Sequence, residues 1–196
     1  MGTDRSAKSS PGKRPSPMSG QTRLRTALPA DAERLAALAA QTFRDTFADD
    51  NSPEDMEAYV RAAFSPEFVR AELADGANAF LLAFASDAEQ PAGYAKLRSG
   101  TVDPGVTGPN PIELQRLYVD RSALGHGIGA ALLQACLESA RSAGHRTLWL
   151  GVWERNARAI SFYEKWGFET VGEHVFRLGS DDQRDLIMER PVPGIA

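Results

Sequence analysis

The 196-residue sequence has a single cysteine, Cys136, which excludes an internal disulfide framework and leads us to expect a reducing, cytoplasmic setting. It lacks any apolar run near the roughly 18 residues that a membrane-spanning helix needs, so none is expected. No apolar stretch follows the basic residues near its start, and a secretory leader is not expected either. Met1-Gly2 with Ser6 fits the myristoylation pattern, although a match at so few fixed positions also recurs by accident. Residues 1–20 contain no Ile, Leu, Val or aromatic residue. Burial cannot offset the entropy of ordering them, and a disordered tail is expected there. This tail carries four basic residues against Asp4, a charge of +3, which leaves −7 of the whole-chain −4 for the remainder. An acidic body argues against a nucleic-acid partner and is compatible with a cationic substrate, while mild acidity is also ordinary among soluble proteins.

What is present reads as one domain over residues 21–196, long enough to bury a core. Thr22 to Leu28 alternates as a first strand, and Pro29-Ala30-Asp31 offers a stop and a helix cap. Leu35, Leu38, Ala39, Phe43 and Phe47 then recur at helical spacing. Ser52-Pro53 and Ser65-Pro66 each combine a capping serine with proline at the first helical position, and Asp75-Gly76 ends the last of these helices. Ala79 to Ala85 and Ala92 to Arg98 read as a strand hairpin, and Gly100 to Pro111, with three prolines and three glycines, as an exposed connector. Ile112 to Val119 is a strand. Ile128, Leu132, Leu133, Cys136, Leu137 and Ala140 form one helical stripe, on which Cys136 reads as a buried structural thiol. The run Arg146 to Val152 reads as a central strand covered on both faces, Asn156 caps a helix ended by Gly167, and Phe168 to Phe176 and Arg184 to Met188 supply the last strands. This order predicts a mixed α/β sheet with helices on both faces.

Between the strand ending at Val119 and the following helix lies Leu124-Gly125-His126-Gly127-Ile128-Gly129. A glycine turn that opens a helix leaves unpaired N–H groups at the positive end of the helix dipole, a seat for phosphate. A nucleotide-hydrolase loop would need Lys and Ser/Thr after its last glycine, and these are missing. The dinucleotide pattern is formally met by Gly125, Gly127 and Ala130, but too little chain follows to build its paired halves. The turn also resembles the pyrophosphate loop of the GCN5-related N-acetyltransferases (GNAT). The strand before it, the helix after it, Asn156, and Phe162-Tyr163-Glu164-Lys165-Trp166-Gly167-Phe168 match that family in order, over about residues 22–190.

This resemblance implies a mostly antiparallel seven-stranded sheet, splayed between the fourth and fifth strands, and transfer of an acetyl group from acetyl-CoA to an amine with no metal. It implies that the amides of Leu124, Gly125, His126, Gly127, Ile128, Gly129 and Ala130 grip the pyrophosphate. Leu117, Tyr118 and Val119, beside a bulge, would bond the pantetheine arm and the acetyl carbonyl, and Asn156 would cap its helix and touch the pantetheine. Glu113 stands where many relatives have a catalytic base, with a solvated strand carboxylate or substrate anchor as the alternative. Tyr163 stands at the tyrosine place and can donate to the leaving thiolate, a core aromatic being the plainer reading. Leu124 departs from the usual Arg or Gln, so coenzyme anchoring is expected to differ, with His126 able to add partial charge. His126, His145 and His174 have no metal-ligand spacing.

For the acceptor, Thr42 to Phe47, Asn51 to Tyr59, Trp149 to Glu154 and Asp185 to Met188 resemble bacterial spermidine/spermine N-acetyltransferases. This implies a polyamine met by Asp45, Asp49, Asp50, Glu54 and Tyr59, whose acids could equally coat exposed helices. A peptide, amino-acid or antibiotic amine, or a non-catalytic acyl-CoA sensor, stays open. No nucleic acid or membrane partner is expected, and a homodimer is left open.

Overall fold

The computed structural model describes residues 22–86, 88–178 and 181–194; the expected tail at 1–20 lies outside the described residues. Its strands are β1 (Thr22–Thr26), β2 (Asn78–Ala85), β3 (Gly93–Arg98), β4 (Pro111–Val119), β5 (Thr147–Trp153), β6 (Glu169–Leu178) and β7 (Asp181–Pro191). Its helices are α1 (Ala32–Phe47), α2 (Pro53–Ala63), α3 (Pro66–Ala74), α4 (Ile128–Ser142) and α5 (Ala157–Lys165). The strands form one sheet in the order β1-β2-β3-β4-β5-β7-β6, antiparallel except between β4 and β5. On one face α1, α2 and α3 pack Leu35, Phe43, Val60 and Val69 against Phe80, Leu82 and Tyr94. On the other, α4 presses Leu132, Leu133 and Cys136 onto Ala95, Leu114 and Leu148. Leu132 and Leu133 are fully buried, and truncating either to Ala would cost about 2–5 kcal/mol.

The caps explain where the helices begin. Ser52 accepts from the Asp55 amide and Ser65 from the Phe68 amide, each ahead of a proline that fixes the first helical φ. Asp31 departs from the expected cap. Its side chain caps no backbone amide of α1, though it lies 3.5 Å from the Arg34 guanidinium; it turns back to accept from the Leu28 amide at 2.9 Å and from both terminal nitrogens of Arg25 at 2.7 Å. The bidentate guanidinium outcompetes the helix amides for the carboxylate and lowers its pKa to about 2. Here β1 is stitched to the start of α1.

Two irregularities in β4 shape the middle of the sheet. Lys96 opposes Arg116 but Leu97 opposes Leu114, so Gln115 is an extra residue, a bulge that bends β4. The parallel pairing of β4 with β5 stops after three residue pairs, the last being Glu113 with Trp149. Beyond it β5 continues against β7 as far as Trp153 opposite Asp185, while β4 keeps only its bonds to β3. The sheet is therefore split at its centre, as the resemblance implies.

One strand boundary needs correction. β7 starts earlier and ends later than Arg184 to Met188, because pairing with β5 and β6 on both edges holds its charged ends extended. The connector from Gly100 runs at the surface to the start of β4 at Pro111, and it is also pinned. The amide and hydroxyl of Thr107 donate to Glu189 at 2.9 and 2.7 Å, and Asp103 reaches His174.

Candidate active site

The gap between β4 and β5 opens on both sides of the sheet centre into cavities that share Leu117, Tyr118, Trp153, Asn156, Ala159 and Tyr163. The larger, about 670 Å³, runs from the end of β4 over the glycine turn and along α5. The smaller, about 300 Å³, lies beneath α1 and α2.

In the larger cavity the turn does what its glycines permit. Gly125 and Gly127 adopt φ of 83° and 81°, a region that residues with a β-carbon rarely occupy, and nothing stands within 4 Å of where a β-carbon would project. The first helical bond of α4 runs from the Ala131 amide to the Gly127 carbonyl. The amides of residues 125 to 130 find no backbone acceptor among the described residues, so they are available to an anion. Gly129 packs α4 closely against Leu117, Val119 and Phe162. Leu124, Gly125, Gly127, Ile128, Gly129 and Ala130 line the cavity together with Leu117, Tyr118 and Val119, whereas His126 does not. Cations come instead from Arg121, Arg155 and Arg158, which also line it. Sequence reasoning missed these three, because they lie before and after the turn in segments that carried no motif.

Tyr163 is buried at the junction, and burial, with Cys136 nearby, pushes its phenol well above the ordinary value. It therefore stays protonated at neutral pH and can donate a hydrogen bond. Asn156 accepts from the Ala159 amide at 3.1 Å and so caps α5 while facing both cavities. Cys136 is fully buried and its thiol is pushed up to about 12, which leaves it inert.

The smaller cavity has an aromatic roof. Phe43 stacks on Tyr59 with centroids 4.6 Å apart, and Tyr59 meets Phe176 edge-on at 5.9 Å. Glu113 lines its floor, and Oε2 accepts from Arg98 Nε at 2.6 Å and from Thr101 Oγ1 at 3.2 Å. Arg116, held bidentate by Glu72 of α3, lies beside it, and the ammonium of Lys96 bonds to that same carboxylate. At the far wall stand His174 of β6 and Asp185 of β7, whose carboxyl burial pushes up to about 6 against the opposing influence of His174.

Of the five residues expected to meet a polyamine, only Tyr59 lines this cavity. Asp45 and Asp50 line the larger one, with Asp50 3.9 Å from Arg155, and Asp49 and Glu54 are exposed and line neither. The pair that does face the cavity, His174 and Asp185, is brought together by the antiparallel register of β6 and β7; the adjacent strand-like runs Phe168 to Phe176 and Arg184 to Met188 were its signal in the sequence. Nothing in the sequence foretold that Asp103 joins them.

Residues 37–168 match the model of the acetyltransferase (GNAT) family. An uncharacterized N-acetyltransferase of Lactobacillus delbrueckii subsp. lactis is 34% identical over 160 residues, covering 82% of this chain and 91% of that protein. An uncharacterized N-acetyltransferase of Mycobacterium tuberculosis is 35% identical over 160 residues, covering 82% and 97%. Among solved structures, the PaiA N-acetyltransferase of Thermoplasma acidophilum in complex with coenzyme A matches with a TM-score of 0.71 and 27% identity, covering 87% of this chain and 99% of that one.

Proposed function

The chain belongs to the acetyltransferase (GNAT) family and is an N-acetyltransferase; from that premise we propose that it moves acetyl directly from acetyl-CoA in the larger cavity to a primary amine in the smaller one. The observation that carries this reading is the meeting of the two cavities at Tyr163 and Asn156, where the sheet is split. Acetyl-CoA, when bound, supplies an acyl group activated as a thioester. The open amides of residues 125 to 130, with Arg121, Arg155 and Arg158, hold its phosphates. The free edge of Leu117 to Val119 bonds the pantetheine arm and places N–H groups near the acetyl oxygen, where negative charge develops. Tyr163 donates a hydrogen bond to the leaving sulfur. An ordinary thiol titrates near 8.5, well below a buried phenol, so the sulfur accepts a hydrogen bond from Tyr163 more readily than a whole proton.

For the acceptor, our first candidate is a polyamine such as spermidine. Support comes from the rings of Phe43, Tyr59 and Phe176, which suit an alkylammonium, and from the carboxylates of Asp185 and Glu113. One observation favours a second reading. Lys96 and Arg116 share the single carboxylate of Glu72, and the positive charge in excess would suit an amino-acid or peptide acceptor with its own carboxylate. Thiol release from acetyl-CoA, measured across spermidine, spermine, amino acids, short peptides and aminoglycosides, decides between them. Turnover with spermidine above the rest is the expected result. Thermal stabilisation by acetyl-CoA without thiol release for any amine would leave a non-catalytic acyl-CoA sensor, and stabilisation by NAD(P)H alone would remove the coenzyme assignment.

A further inference from the structure

We propose that Asp103, His174 and Asp185 form the proton relay that deprotonates the acceptor ammonium in the smaller cavity. Asp103, in the pinned connector, is oriented at both oxygens: Oδ1 accepts from the Gly105 amide at 2.8 Å, and Oδ2 lies 3.0 Å from His174 Nδ1. An imidazole that donates Nδ1–H to a carboxylate presents a lone pair at Nε2 when the ring is neutral. That Nε2 lies 3.8 Å from Asp185 Oδ2, too far for a hydrogen bond. The cavity wall between them is therefore set to receive an N–H group from outside the protein. Gly151 of β5 keeps this wall open, since a β-carbon there would sit 3.5 Å from both Asp185 Oδ2 and the His174 ring.

The chemistry requires such a device. A primary alkylamine with a pKa near that of Lys arrives as an ammonium, which has no lone pair for attack. Asp185 attracts the ammonium, one N–H bond breaks, and a bond forms from the proton to Nε2. The positive charge passes to an imidazolium held between two carboxylates. The freed lone pair forms the C–N bond while the thioester C–S bond breaks and its electron pair leaves with sulfur. The nitrogen then gives up a second proton, which goes to the sulfur, and the first returns to solvent from His174, a side chain that is 36% exposed.

Glu113, the other carboxylate in the cavity, already accepts from Arg98 and Thr101 through Oε2. That arrangement suits a fixed anchor better than a group that takes and releases protons. The other charged or titratable groups lining this cavity are Tyr59 from α2, Arg116 and Tyr118 from β4 and Tyr163 from α5, with Arg116 backed by Glu72 of α3.

The relay rests on the transferase reading, and pH–rate profiles separate the two. If the wild-type protein releases no thiol with any amine of the panel, the transferase reading itself fails. If the wild type turns over, kcat/KM for the amine should fall about a hundredfold at pH 7 in His174→Gln and about tenfold in Asp103→Asn. Both losses should shrink as pH approaches the pKa of the amine, where the substrate no longer needs a base. Thermal stabilisation by acetyl-CoA should stay at the wild-type value in both variants. A His174→Gln profile within threefold of wild type, or a loss equal at every pH, overturns the relay. A pH-dependent loss in Glu113→Gln with His174→Gln unaffected overturns it in favour of Glu113.

Discussion

Asp185 is half-buried beside a histidine too distant to hydrogen-bond it, and its ordinary pKa of 3.8 rises to about 6 because desolvation disfavours the charged form. Below about pH 4 the carboxyl is protonated in both folded and unfolded chains, and the favourable state is fully present. As pH rises through about 6, the folded chain must ionise a group that its surroundings keep neutral, and stability is lost. Asp185→Asn removes that titration, so it should raise thermal stability at pH 8 by about 2 kcal/mol relative to its effect at pH 4.5. Equal effects at the two values would mean that Asp185 is not raised. Tyr163 poses a different question, since its hydroxyl is the proposed donor to the leaving sulfur and its ring packs in the core against Phe168. Tyr163→Phe keeps the ring and removes only the donor. We expect kcat to fall about tenfold to a hundredfold with coenzyme affinity nearly unchanged, measured by thiol release and by thermal shift; an unchanged kcat would end the donor role.

Between elements, the strongest tie is one that no local pattern announces. Glu72 of α3 bonds Lys96 of β3 and Arg116 of β4, and Arg116 also lies 5.1 Å over the Phe64 ring. Lys96 is 2% exposed, so burial opposes its charge, and Glu72 answers it as the ion-pair partner, with the Phe80 ring 5.4 Å from the ammonium. Glu72→Gln leaves two buried cations without a counter-charge and should cost about 3–5 kcal/mol in denaturant unfolding, with α3 loosening first. A loss below about 1 kcal/mol would show that water reaches the cluster. This tie marks the boundary of what the sequence discloses. Ser52, Ser65, Asn156 and the apolar stripes of α1 and α4 act on neighbours a few residues away, and they predict their helices directly. Gly125 and Gly127 are legible for the same reason, since the demand for positive φ is local. Glu72 with Arg116, Asp103 with His174, and Asp31 with Arg25 are decided by which strands and loops meet. Spacing along the chain carries no trace of such meetings. Asp31 shows the competition, because the local pattern offered it to a helix and a guanidinium from β1 took it.

Across the whole molecule, charge is divided against its average. The chain carries −4 in total, yet the cavity beside the glycine turn gathers Arg121, Arg155 and Arg158 at one mouth. Long-range attraction of a highly anionic coenzyme by an acidic protein is weak, so in the proposed reading its capture rests on these arginines together with the helix amides. They are the cations that line the cavity, where the turn itself has Leu124. Asp45 and Asp50 line the same cavity and partly offset them; Arg155 is 70% exposed and 3.9 Å from Asp50. A screened surface pair of this kind contributes little, and Arg155 is therefore free to turn toward a phosphate. Replacing Arg121, Arg155 and Arg158 together by Ala should raise KM for acetyl-CoA about tenfold or more while kcat stays within about twofold, because phosphate contacts hold the coenzyme equally before and during transfer. The same variant should lose most of the wild-type rise in KM between 50 and 500 mM salt, since the charges that salt screens would be gone. If its KM and salt dependence match the wild type, the helix amides alone hold the phosphates and the cluster serves the surface.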